Sequence, residues 1–301
     1  MDAHTSTDGL LALLEDLKLA LPGLPGFRDL SIFGSIAEGR ADGWSDVDLM
    51  VTTDDLEKAK SSVVGLLERK VGPVEFCWAI NLRPDEWNPT IVFSNHGHYH
   101  KLDLGLAASD AADRTIPREQ TTLLIDVPQP CEAFLAPCTA YCPEAGSVGH
   151  FLLSVLISGP RYMKARRRGQ PLTCYRFLSA AAELCACALY SRLCGEMSHG
   201  WRLSTVEYAA LDRLASPEQT AAFLTALDFS SPTAMDHAMY RILCQLCDHA
   251  QDLARTRGED LAQDVIECLL RFMRDETDAS SYDHRGEGPQ RTTEGDRNAS
   301  Q

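Results

Sequence analysis

The chain has 301 residues, 45% of them hydrophobic and 24% charged, a balance that fits a folded globular protein with room for two domains. A formal net charge of −15 argues against a long polyanionic partner such as tRNA or an RNA 3′ end, and either suits a small, cationic substrate or merely aids solubility. No apolar run reads as a membrane span, and Met1 to Asp8 lacks the basic-then-apolar pattern of an export signal, so the eleven scattered cysteines are expected as reduced thiols in a cytoplasmic protein.

Leucines at helical spacing predict a helix over Asp8 to Ala20, capped by Thr7 or Asp8 and ended by Pro22, Gly23, Pro25 and Gly26. Asp29 to Phe33 reads as a short strand feeding a Gly34-Ser35 turn, and Ser35 to Arg40 opens a short helix. Val47 to Thr53 is the next strand and Asp54 to Arg69 a helix. Strands are expected over Val74 to Ile80, Thr90 to Ser94 and Tyr99 to Leu106, with a turn at Asn95-His96-Gly97. The proline-bearing stretch Ala107 to Ala145 reads as a crossing segment. Beyond Gly146 the pattern becomes helical: Val148 to Lys164, Cys174 to Leu193, Ser204 to Leu214, Pro217 to Leu227, Pro232 to Arg255 and Asp260 to Arg274. The expected fold class is α+β, with an N-terminal mixed sheet carrying helices on one face and a C-terminal all-helical bundle. The expected division is a catalytic domain over 1–110, a linker over 111–145, a helical substrate-binding domain over 146–275 and a disordered tail over 276–301.

The most informative residues lie between Phe33 and Val51. Asp46 and Asp48 stand at i and i+2 of a strand, so their carboxylates share a face and repel unless a divalent cation sits between them. Gly34 and Ser35 offer backbone N–H groups and a hydroxyl with no bulk in the way, which suits a phosphate. A phosphate cradle beside a carboxylate pair is the minimum equipment for moving a nucleotidyl group with Mg²⁺. Read without function, the aspartates would cap a helix or decorate a turn, but the apolar Leu49-Met50-Val51 that follows marks a strand core.

Gly34-Ser35 followed by Asp46-x-Asp48 resembles the signature of the nucleotidyltransferase superfamily, which includes antibiotic nucleotidyltransferases acting on aminoglycosides and lincosamides, minimal antitoxins and RNA-tailing enzymes. That pattern includes a third carboxylate on a later strand, and Asp103 within Lys101-Leu102-Asp103-Leu104-Gly105-Leu106 matches it, as a metal ligand or as the base for the acceptor hydroxyl. The run Tyr162 to Gln170 before a long apolar helix, and Asp264 to Arg271 near the end, are loosely similar to the helical domain of the antibiotic enzymes. The resemblance implies one or two Mg²⁺ ions held by Asp46, Asp48 and Asp103, a nucleoside triphosphate such as ATP gripped by Gly34 and Ser35, and a small cationic antibiotic as acceptor. The alternatives are an acceptor on a partner protein, as in toxin–antitoxin pairs, and a binding module without turnover. No long nucleic acid or membrane is expected as a partner, and a homodimer is compatible with the sequence.

Several residues carry both a functional and an ordinary reading. Ser45 is expected to set the angle of the aspartates by local hydrogen bonding. Lys101 shares a strand face with Asp103 and would neutralise a phosphate or the carboxylates, or stand as an exposed lysine. In the basic run Arg161, Lys164, Arg166, Arg167 and Arg168, the readings are a solvated helix end and a triphosphate contact through Lys164, with Arg161 on the same face. Glu183 lies in an apolar run, where a buried acid would face the cleft and meet a cationic substrate. His96, His98 and His100 alternate, but a turn at Gly97 argues against a zinc site and leaves a substrate-rim role. Cys244 and Cys247, and Cys131, Cys138 and Cys142, read as structural thiols.

Overall fold

The computed structural model describes residues 6–79, 84–97, 99–111, 116, 120–125, 143–144, 146–195 and 202–283. Helix α1 (Thr7–Ala20) starts one residue before the expected span because Ser6, not Thr7 or Asp8, caps it, its Oγ accepting from the Gly9 N–H at 3.1 Å. A 3-10 turn at Leu21–Gly23 leads into β1 (Phe27–Ile32), a four-residue helix α2 (Gly34–Ala37) and β2 (Val47–Thr53). Helix α3 (Leu56–Lys70) is capped by Asp55, and β3 (Val74–Ala79), β4 (Glu86–Trp87), β5 (Pro89–Phe93) and β6 (Leu102–Ala108) follow.

These strands and β7 (Thr122–Ile125) form one mixed sheet in the order β3-β5-β6-β2-β1-β7, with the short β4 also on β6. The central pair β2 and β6 is parallel, and its register sets Val47, Leu49 and Val51 beside Leu102, Leu104 and Leu106. All six are fully or almost fully buried in the core shared with α1 and α3. With a side-chain period of two, burying that set turns Asp48, Met50 and Thr52, and their partners Asp103, Gly105 and Ala107, to the opposite face. The placement of Asp48 and Asp103 on this second face is thus a consequence of where the leucines and valines had to go.

Part of the 111–145 segment, expected as a linker or extended wrap, pairs antiparallel with β1 at the sheet edge as β7. Its side chains are exposed or half-buried, so it lacks the alternation that marks a core strand. The two-residue β4 is too short to leave a periodic signal.

The remaining helices are α4 (Val148–Leu156), α5 (Ser158–Arg167), α6 (Pro171–Cys194), α7 (Thr205–Leu214), α8 (Pro217–Ala226), α9 (Pro232–Arg257) and α10 (Gln263–Asp283). The single helix expected over Val148 to Lys164 is broken after Leu156. Pro160 has no N–H for the Leu156 carbonyl and its ring would collide with it, so the ladder restarts. Helix α6 corrects the reading that no stretch could span a membrane: by length and composition it is apolar enough, but half of that window is buried. Its Leu178, Ala181 and Cys185 share one core with Leu243, Leu246 and Cys247 of α9, which meets the expectation that Cys247 is a structural thiol. That core reaches Phe76, Trp78, Val92 and Tyr99, so the bundle packs on the sheet face opposite α1 and α3. Helix α10 continues past residue 275 to Asp283, correcting the expected start of the tail. Thr277 is buried at 1% exposure and Glu276 is bonded to Arg167, so this turn is packed rather than solvated. Residues 284–301, His98 and the Cys131, Cys138 and Cys142 group lie outside the described residues.

Candidate active site

Three carboxylates converge where β2 and β6 begin. Asp48 and Asp103 are direct register partners, and Asp46 sits one residue ahead of β2, tied in by the Val47 N–H to the Lys101 carbonyl at 3.0 Å. Asp46 is therefore not on the strand itself, as expected, but at its entrance. Two lysines stand among them. Lys101 Nζ is 3.0 Å from Asp46 Oδ2 and also bonds Asp103 Oδ2, while Lys164 Nζ reaches the same Asp46 oxygen at 2.8 Å from α5. Thr90 of β5 donates to the other Asp103 oxygen at 2.5 Å.

The charges shape one another. Burial pushes Asp48 up to about 7, and the carboxylates of Asp46 and Asp103 add to the rise. Burial acts on Asp46 too, but the ammonium groups of Lys101 and Lys164 outweigh it and hold this carboxyl well below the usual range. For Lys101 burial works against the charge, and Asp103 and Asp46 more than compensate, leaving it raised. Burial keeps Lys164 below the ordinary lysine value despite Asp46.

Gly34 faces this cluster. Its φ of +68° is the left-handed region, and a Cβ there would run into the Asp48 carboxylate. Ser35 follows, with a buried Oγ that has no hydrogen-bond partner among the described residues. A glycine turn against a carboxylate, next to an unspent hydroxyl, is open to a phosphate oxygen. Gly34→Ala is expected to cut turnover about 100-fold by displacing Asp48, and to lower stability by about 1–2 kcal/mol because alanine is strained at this φ. Pyrophosphate release set beside a thermal melt checks this, and wild-type turnover would refute it.

The loop before Asp46 is held from the helical side. Arg168 forms a fork onto Asp42 at 2.7 and 2.6 Å and donates to Ser45 Oγ at 3.2 Å. Ser45 Oγ accepts from the Asp42 N–H and donates to the Asp42 carboxylate, the local bonding expected of it. Trp44 lies 5.0 Å from the Tyr99 ring and 5.7 Å from the Arg167 guanidinium. Arg167 and Tyr99 both bond Glu276 of α10, at 2.8 and 2.7 Å. The basic run is thus neither a solvated helix end nor one surface. Lys164 is buried, Arg166, Arg167 and Arg168 pair with different acids, and Arg161 is exposed.

Glu183 corrects its expectation. It is exposed on α6, and the group that feels its charge is Tyr208 of α7. The apolar run around it is the buried stripe of the helix, and Glu183 falls on the solvent side of the turn. His100 is buried with Nε2 3.0 Å from the Gly43 carbonyl oxygen, and His96 stacks edge-on with Phe93 at 6.2 Å beside the expected turn. Among the described residues no three His, Cys, Asp or Glu side chains form a ready-made metal cage. At the aspartates the reason is visible: Lys101 occupies the space between Asp46 and Asp103 as a cation would. The two carboxylates thus already face a cation, supplied by the chain itself.

Thr90, Asp42, Trp44 and Glu276 carry no motif and were not singled out in the sequence. Only the apolar alternation of β5 hinted that Thr90 would share the face of Asp103.

Residues 24–86 match the family model described as a nucleotidyltransferase domain, a span holding Gly34, Ser35, Asp46 and Asp48. This part of the chain is similar to a nucleotidyltransferase domain. Asp103 lies beyond the matched residues and joins them through the β2–β6 register. Among solved structures, an aminoglycoside 6-adenyltransferase from Bacillus subtilis is 13% identical with a TM-score of 0.36, the match covering 87% of this chain and 96% of that one. A STING-associated CdnE c-di-GMP synthase from Capnocytophaga granulosa is 15% identical with a TM-score of 0.25, covering 92% and 82%. No curated protein matches the chain.

Proposed function

We propose that the enzyme moves a nucleoside monophosphate from a nucleoside triphosphate, ATP in the first instance, to a hydroxyl of a small cationic molecule of the aminoglycoside or lincosamide type. The observation that carries the transfer reading is the convergence of Asp46, Asp48 and Asp103 with two largely buried lysines beside the Gly34-Ser35 turn. Asp46, Asp48 and Asp103 would hold the divalent cation, which supplies charge neutralisation along the triphosphate and on the departing pyrophosphate. Gly34 and Ser35 present a backbone N–H and the buried hydroxyl to a phosphate oxygen. Lys101 and Lys164 lie where their ammonium groups can turn from carboxylate to phosphate. Asp103, engaged by Thr90 and Lys101, completes the set on β6. An acidic chain favours a cationic acceptor over a polyanionic one. The cellular site of this chemistry is proposed as the cytoplasm, where ATP is at hand.

The test is pyrophosphate release from each of the four nucleoside triphosphates with Mg²⁺, against a panel of aminoglycosides and lincosamides, with Asp48→Ala as control. Antibiotic-dependent release that vanishes in Asp48→Ala is the expected result. Nucleotide binding with no release on any drug would remove the antibiotic acceptor and point to a partner protein.

A further inference from the structure

The cluster carries its own counter-ions. Three carboxyl groups from Asp46, Asp48 and Asp103 meet two ammonium groups from Lys101 and Lys164, so with all three ionised the formal deficit is a single negative charge. The lysine side chains are only 11% and 9% exposed. A divalent cation arriving alone must push an ammonium off Asp46 or Asp103, and the displaced charge stays buried beside it without a partner. A triphosphate reverses that balance, because its oxygens give a displaced ammonium new acceptors.

Lys164 is the lysine placed for this exchange. Lys101 is shared between two carboxylates, whereas among the described residues the side-chain hydrogen bond of Lys164 goes to Asp46. The backbone under it is fixed, because Arg168 grips Asp42 and Arg167 grips Glu276 within one turn of the same helix end. The exchange is then a rotation of one side chain.

We propose that Lys164 is a built-in counter-ion that passes from Asp46 to the triphosphate, so that the site turns away a free divalent cation and accepts one only together with a nucleoside triphosphate. This rests on the nucleotidyl-transfer reading and adds an order of binding to it.

The probe is Mn²⁺, its binding to the protein followed by equilibrium dialysis, with and without a non-hydrolysable α,β-methylene analogue of ATP whose own chelation of the metal is subtracted with a protein-free control. In the wild type, free Mn²⁺ is expected to bind at least about 100-fold more weakly than Mn²⁺ with the analogue, the scale of two charge-assisted contacts. Lys164→Gln should move the two affinities in opposite directions, free Mn²⁺ tightening about tenfold and Mn²⁺ with analogue weakening about tenfold. A merely structural lysine would weaken both. Equal affinities in the wild type, or a Lys164→Gln change of the same sign in both, would overturn the exchange while leaving nucleotidyl transfer intact. Failure of the wild type to bind the analogue at all would overturn the transfer reading itself. Should Lys164→Gln not fold, as a melt would reveal, the wild-type comparison decides alone.

Discussion

Asp48→Asn is expected to abolish pyrophosphate release and, in metal-free buffer, to make the protein more stable. The two effects have one origin. Asp48 is held up to about 7 by burial and by the neighbouring carboxylates, against about 4 for an unfolded aspartate. The folded state therefore retains a proton that the unfolded state has released across this window, and the wild type loses stability as pH climbs from about 4 to 7. A shift of roughly three units corresponds to about 2–4 kcal/mol at pH 8, after allowance for water in a partly open site. The amide has the shape of the protonated acid and no charge to lose. Its melting temperature should match the wild type near pH 4 and exceed it by several degrees at pH 8. Mg²⁺ with a nucleotide analogue should stabilise the wild type and leave the variant unmoved. Melting curves at the two pH values, with and without ligand, decide the matter. A gain of equal size at both would mean that charge repulsion is not the cause.

Asp236→Ala is expected to be the costliest single change in the helical region. Asp236 of α9 is fully buried, accepts from the Tyr162 hydroxyl at 2.7 Å and lies 3.3 Å from Arg166 Nε. Truncating it strips the guanidinium of its carboxylate and the phenol of its acceptor in one step. Breaking a buried pair in this way costs about 3–5 kcal/mol. Asp236→Asn keeps an acceptor for Tyr162 and should lose about half as much. Arg166 and Tyr162 flank Lys164 on α5, so nucleotide affinity should fall along with stability. Urea denaturation at constant slope gives the energy, and a loss below about 1 kcal/mol would show that Arg166 finds another partner.

These expectations draw unequally on sequence and structure. The carboxylate pair, the glycine–serine turn and the later Asp103 were legible because each rests on local rules. A two-residue period orients Asp48 once Leu49 and Val51 are buried, and only a glycine accepts the +68° turn against that carboxylate. The alternation of Leu102 and Leu104 did the same for Asp103, and the textural change after Gly146 announced the helices. The split at Pro160 obeys a local rule too, and the apolar period on either side concealed it.

What the sequence determined by itself was the chemistry of the N-terminal face, through residue type, period and turn conformation over short stretches. The tertiary structure decided who meets that face. Lys164 reaches Asp46 and Arg168 reaches Asp42 across more than a hundred residues, and the same basic run would read alike on a solvated helix end. Glu183 went the other way, toward solvent, because the packing of α6 on α9 chose which stripe to bury. Strand β7 and the last turns of α10 were likewise settled by pairing and packing partners distant in the chain. Local periodicity states which face a side chain takes; only the closed fold states what lies opposite it.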